Sequence, residues 1–286
     1  MSDAGAADQQ PELIDVMHLG HEHVIGAWRV GDVIVDPGPS SGLEALMPVL
    51  EQHPPRVLAL THIHLDHAGA AGTLARRFPE LELWVHERGA RHLADPSRLL
   101  DSATRLYGDQ MQRLWGEVLP VPAERLRVLH GGERLGPFRV AYTPGHASHH
   151  VSYLHEPSGR AFTGDVAGVR IDGGRVLAPT PPPEIDLQAW RASLDLIEGW
   201  APRSLAVTHF GAYEDVAEQL AALREHLDEV ERWAGELDEA GFAEKVRERV
   251  RRPASDATSG SYAQALPPEQ SYRGLLRYLR GREQAS

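Results

Sequence analysis

Up to residue 212 the chain alternates short apolar runs with amphipathic stretches; beyond it the strand signals stop. That order selects an α/β core with a helical C-terminal extension. VIGAWRV (24–30) and DVIVDPG (32–38) flank Gly31 and Asp32, which predicts a hairpin. Ser41 and Glu44 read as a capping box opening a helix whose apolar face is Leu43, Leu46, Met47 and Leu50. RVLALTH (56–62) and LELWVHE (81–87) predict strands, with a helix over GAAGTLARRF between them. Residues 89–118 are helical in pattern, interrupted at Asp95 and Pro96; Tyr107, Met111, Leu114 and Trp115 share one face there. That face reads either as ordinary core packing or as a lid over a pocket.

RVLHGGERL, FRVAYTPGH, HVSYLHE, RAFTGDV and VRIDGGRVL then read as successive strands, until the proline cluster APTPPPE (178–184). Asp186 is placed to cap a helix presenting Leu187, Trp190, Leu194 and Ile197, and SLAVTHFG predicts the last strand. In the extension, Val216, Leu220, Leu223, Leu227, Val230, Ala234 and Leu237 form a heptad seam, open to packing on the body or to a homodimer contact. Phe242, Val246 and Val250 mark a second helix, 253–262 a polar linker, and Tyr272, Leu275, Leu276 and Leu279 a final helix. The expected organisation is a disordered leader (1–11), a catalytic domain (12–212) and a helical extension (213–286).

No cysteine is present, which excludes disulfides, thiolate metal sites and a cysteine nucleophile. A formal charge of −12 argues against a nucleic-acid surface. The N-terminal stretch lacks the pattern of a signal peptide, and no run approaches the ~20 apolar residues of a membrane helix. The expectation is a cytoplasmic protein acting on a small molecule, without nucleic-acid or membrane partners.

Residues 61–70 read THIHLDHAGA. Histidine makes up 16 of 286 residues, so three histidines and an aspartate at these offsets arise by chance at about 10⁻⁵ per position, about 0.003 over the chain. In an extended chain His62 and His64 point the same way, with Cα atoms roughly 6.5–7 Å apart, and can converge on one cation. Asp66 and His67 follow where the chain turns into a helix and can face a second. Imidazole and carboxylate donors suit zinc first, and also iron or manganese.

This H-x-H-x-D-H stretch resembles that of the metallo-β-lactamase-fold hydrolase superfamily. The resemblance implies an αββα sandwich and three further ligands at strand ends, and TPGH, FTGD and VTHFG supply His146, Asp165 and His209. By that resemblance His62, His64 and His146 would hold one metal ion. Asp66, His67 and His209 would hold the second, and Asp165 would bridge the two. An aspartate bridge is similar to that of the esterases, lactonases, thioesterases and nucleases, not the true β-lactamases. Asp36 in VIVDPG, and His150, match positions expected to support ligand histidines.

What the resemblance implies is a dinuclear hydrolase of a small ester, thioester or lactone, of the glyoxalase-II-like and lactonase-like branch. It would work through a metal-bridging hydroxide, with Asp66 orienting the water or accepting its proton. The alternatives are a mononuclear iron dioxygenase of the persulfide-dioxygenase type and a phosphodiesterase or nuclease. For substrate contacts the candidates are Tyr107, Met111, Trp115, His149 and Phe210, with Arg170 to hold a carboxylate; packing or solvent exposure explains each equally well.

Overall fold

The computed structural model describes residues 10–251 and 255–285, so residues 1–9 of the expected leader lie outside the described residues. β1 (Glu12–Asp15), β2 (Gly26–Val30), β3 (Val33–Val35), β4 (Val57–Ala59), β5 (Glu82–His86) and β6 (Leu126–Leu129) form one sheet in that spatial order. Its first three strands are antiparallel, and β3 to β6 run parallel. β7 (Arg134–Leu135), β8 (Phe138–Tyr142), β9 (Val151–His155), β10 (Arg160–Gly164), β11 (Ser204–Val207) and β12 (Gly211–Tyr213) form the second sheet, also in sequential order. There only β10 and β11 pair in parallel.

The two-residue period of the strands builds the layers. Val33 and Val35 face the second sheet, in a layer with Phe138, Tyr153 and Phe162. Ile34 between them points the other way, toward α1 (Leu43–Gln52), beside Leu46 and Leu50. The same helical layer holds α3 (Ala71–Arg77) and α4 (Glu87–Ala94), after the single turn α2 (Leu65–Ala68). Both faces of the sheet are covered, which is why its strands read as continuous apolar runs. In the second sheet Ala206 faces inward, while Leu205 and Val207 face α7 (Leu187–Gly199) and its buried Trp190. The result is the αββα sandwich. α5 (Ser97–Tyr107) and α6 (Met111–Trp115) lie outside these layers as a satellite cluster.

α8 (Val216–Glu236), α9 (Glu239–Arg251), α10 (Asp256–Ala265) and α11 (Pro268–Ala285) complete the chain. The heptad seam is buried within it: Leu220, Leu223, Leu227 and Val230 share one cluster with Trp190 and Val207. Among the described residues no helix is long and apolar enough to cross a membrane.

Several local expectations are corrected. The Ser41–Glu44 capping box does not form. Ser40–Gly42 is a 3₁₀ turn, and the Ser41 hydroxyl instead donates to Leu114 O at 2.6 Å. VRIDGGRVL is a loop closed by one bridge between Val169 and Leu177, clasped by the Tyr262 hydroxyl, which accepts from Ile171 N and donates to Arg175 O. The described part of the expected polar linker is mostly α10, and a short β12 follows SLAVTHFG. β4 stops at Ala59, so His62 and His64 lie beyond the strand. The Asp186 cap forms as expected, accepting from Ala189 N at 2.9 Å.

His226 on α8 is fully buried and accepts a hydrogen bond from Ala178 N at 2.9 Å. Burial, with Arg249 nearby, lowers its pKa to about 3. The unfolded chain therefore binds a proton near pH 6.5 that the folded chain refuses, and stability falls as pH drops from about 6.5 toward 3. From this residue alone the loss at pH 5 is about 2 kcal/mol. The His226→Gln variant should lose correspondingly less stability between pH 7.5 and pH 5 in urea unfolding; an unchanged pH dependence would show that His226 is not refusing that proton.

Candidate metal centre

Six chain segments end at one edge of the sandwich. Asp36 follows β3, His62 and His64 follow β4, and Asp66 and His67 sit on α2. His146, Asp165 and His209 follow β8, β10 and β11. Two glycines allow this crowding. Gly164 has φ +46°, and a side chain there would collide with the Thr61 hydroxyl; at Gly145, with φ +141°, it would strike the backbone of Trp190.

His62, His64 and His146 place their ring nitrogens together: His64 Nδ1 is 3.0 Å from His62 Nε2 and 2.9 Å from His146 Nε2. Asp66, His67 and His209 form a second group, with His209 Nε2 3.4 Å and His67 Nε2 3.8 Å from Asp66 Oδ2. Asp165 stands between the groups. Its Oδ1 is 3.3 Å from His67 Nε2 and 3.6 Å from His209 Nε2, and its Oδ2 is 3.4 Å from His146 Nε2.

The surrounding hydrogen bonds assign the tautomers. His146 donates from Nδ1 to Pro179 O at 2.8 Å, and His209 from Nδ1 to Val24 O at 2.6 Å. His67 donates from Nδ1 to Asp36 Oδ2 at 2.9 Å. The Thr61 hydroxyl donates to Asp36 Oδ2 at 2.6 Å and so accepts from His62 Nδ1 at 3.1 Å. In all four residues Nε2 is left facing the cluster. His67 Nε2, His209 Nε2 and Asp165 Oδ1 are buried with no hydrogen-bond partner. Unpartnered imidazole nitrogens and a carboxylate oxygen, aimed at shared points, fit divalent cations. Asp36 also lies near His62 and His67, but its carboxylate oxygens are taken by four donors, so it supports the cluster from behind.

The two groups differ in protonation. Burial lowers the pKa of His62 well below its usual value, that of His64 to about 3, and that of His146 as well. Burial also disfavours the charged form of His67 and His209. There, however, Asp165 and Asp66 outweigh it and raise both, with Asp36 adding to the rise of His67. Asp165 would be raised by burial, yet His67, His209 and His146 hold it well below the ordinary carboxylate range.

A cavity of about 330 Å³ opens over His64, Asp66, His146 and Asp165. One wall is Leu99, Ala103, Leu106, Tyr107, Leu114 and Trp115 of the α5–α6 segment. The face offered as either packing or lid is therefore both a hydrophobic cluster and a cavity wall, although Met111 packs in the cluster without lining the cavity. The facing wall comes from the proline cluster (Pro179, Pro181, Pro182 and Pro183) and from residues 263–271.

Other expected contacts lie elsewhere. Arg170 does not line the cavity: its guanidinium bonds Asp215 at 2.8 Å and Gln219 at 3.2 Å, and it lies over the Tyr213 ring. Phe210 stacks on His23 away from the cavity. His149 accepts from Ile63 N at 3.4 Å and stacks over His62, so it backs the cluster instead of lining the cavity. His150 also stacks on His62, at 5.0 Å, with its Nδ1 bonded to Thr143 Oγ1. His18 was not anticipated. It lines the cavity, stacks on Trp115 and is kept neutral by burial, with its pKa lowered to about 4. Its only sequence signal is its place in the histidine-rich run MHLGHEH.

A family model described as the metallo-beta-lactamase superfamily matches residues 31–224. The metallo-beta-lactamase fold-containing protein ST1585 of Sulfurisphaera tokodaii is 31% identical over 161 residues, covering 54% of this chain and 60% of that protein. The hydroxyacylglutathione hydrolase GloC of Haemophilus influenzae is 30% identical over 141 residues, covering 46% of this chain and 59% of its own length. The chain thus spans about three-fifths of the length of these curated relatives. The crystal structure of ST1585 superimposes with a TM-score of 0.73 at 23% identity, over 94% of this chain and 98% of that one, a likeness of fold.

The Asp36→Asn variant keeps the shape and tolerates the left-handed backbone (φ 48°) but weakens the acceptor that fixes His67. Zinc affinity, measured by competition with a chelating dye, should fall about 10–100-fold. Wild-type affinity in this variant would contradict the assigned role of Asp36.

Proposed function

Because the chain belongs to the metallo-beta-lactamase superfamily, we propose that it is a dinuclear metal-dependent hydrolase of a small ester, thioester or lactone. The observation that carries this reading is the pairing of two three-residue donor groups through the two oxygens of Asp165, beneath a largely apolar cavity. His62, His64 and His146 would hold one cation, Asp66, His67 and His209 the other, with Asp165 between; zinc suits these donors best. When bound, such a pair supplies Lewis acidity to a substrate carbonyl and brings the pKa of water toward 7.

The chain's own residues do the rest. Asp66 is the carboxylate most open to the cavity, its side chain 22% exposed against 5% for Asp165. It is placed to orient the attacking water and take its proton. Asp36, Thr61 and the carbonyls of Val24 and Pro179 hold the imidazoles in the tautomer that offers Nε2. The α5–α6 wall and the proline cluster exclude bulk water from the reacting group.

No observation favours a mononuclear oxygenase, since the second donor group is complete. A phosphodiester or glutathione substrate would bring anionic groups, and the described cavity lining contains neither lysine nor arginine.

Zinc-loaded protein should carry two ions per chain and hydrolyse aryl esters or lactones, losing both metal and turnover on chelation. His62→Ala and Asp165→Ala should each lose most bound metal and at least about 100-fold in kcat/KM. Zinc-replete protein that is inert toward esters, lactones, thioesters and phosphodiesters would remove this reading.

A further inference from the structure

The reacting group of any substrate must sit over His64, Asp66, His146 and Asp165, at the floor of the cavity. What extends away from that floor is chosen by the walls. We propose that this part of the substrate is an uncharged aliphatic chain, lying between the α5–α6 segment and the wall made by the proline cluster and residues 263–271. The proposal rests on the hydrolase reading for the position of the reacting group.

Charge excludes the alternatives. Among the described residues the ionised side chains lining the cavity are Asp66 and Asp165, both at the floor, with no lysine or arginine. An anionic tail would lose its hydration without meeting a cationic side chain. The first turn of α11 does not replace that partner, because the amides of Gln270 and Ser271 already bond Pro267 O at 3.1 Å. Arg170, the nearest cation suggested by the sequence, is paired with Asp215 outside the cavity. A cationic tail meets no carboxylate away from the floor. An aliphatic chain meets Leu99, Ala103 and Leu106 on one side and Pro181, Ala265 and Leu266 on the other. Burying each methylene there should strengthen binding about fourfold.

The test uses ligands that cannot be hydrolysed, so its failure is distinct from a failure of catalysis. Full-length zinc-loaded protein is titrated calorimetrically with 2-butanone, 2-hexanone and 2-octanone, and with 7-oxooctanoate, which carries a carboxylate at the far end of the same chain. Affinity should rise about fourfold per methylene, and 7-oxooctanoate should bind at least tenfold more weakly than 2-octanone. Ala103→Phe, which fills the cavity from a buried position of α5, should flatten the chain-length dependence. Ser102→Phe, at a half-buried position of the same wall, does so with less risk to folding. An affinity independent of chain length would overturn the proposal, as would a keto acid that binds as tightly as the ketone. So would a wild-type dependence persisting in a folded narrowed variant, since the chains would then lie elsewhere, such as the apolar cavity between α9, α10 and α11.

Discussion

The site depends on one buried carboxylate. Asp36 ends β3 in a left-handed conformation, which costs the backbone about 1–3 kcal/mol. From there it accepts four hydrogen bonds: from Thr61 N, the Thr61 hydroxyl, His67 Nδ1 and the Thr208 hydroxyl. These donors come from the loop after β4, from α2 and from the segment after β11, so one side chain ties the ligand-bearing edges of both sheets together. Its hydrogen bonds also reach the imidazoles, directly at His67 and through Thr61 at His62. Fold and ligand geometry are therefore the same set of bonds. Removing a partner would leave a buried charge or donor unpaired, which is costlier than losing a neutral contact.

The parts of this arrangement legible in the sequence were those with a short-range signature. The ligand cluster of residues 62–67 has an improbable composition, and Asp36, His146, Asp165 and His209 each sit where an apolar run stops. The layers were legible because two-sided burial leaves continuous apolar strands. What failed was local chemistry decided by distant partners. Ser41 has the spacing of a capping box, yet the carbonyl of Leu114 claims its hydroxyl. VRIDGGRVL has strand-like composition, but Tyr262, over 80 residues away, clasps it as a loop. Arg170 follows Asp165 closely in sequence, while Asp215 and Tyr213 fix it elsewhere.

The C-terminal helices show the same limit from the other side. Their heptad spacing gives a helix with one apolar seam, and the same seam serves an internal core or an interface. Here it is packed against α7 and the second sheet. That packing sets α10 and the start of α11 against the proline cluster, with the Thr180 hydroxyl bonded to Ser271 O at 3.2 Å. Part of the cavity wall, residues 263–271, thus lies after the segment matched by the family model, which ends at residue 224. That part of the wall comes from a different region of the chain than the clustered histidines and aspartates, so it can vary while they stay fixed.

Burial and charge divide the donor set in a way that bears on how it is filled. At the His62, His64 and His146 group desolvation dominates, so these rings are neutral and their lone pairs are ready without losing a proton. At the second group the aspartates dominate, and His67 and His209 are raised toward their protonated forms. A proton there offsets the charge of Asp66 and Asp165 across 3.3–3.8 Å. In the dinuclear site proposed above, a cation at the second group would replace protons, whereas the first group offers neutral rings. Asp165, lying between the groups, would couple the two proposed positions, since a cation at either would change the charge that the other group feels through its oxygens.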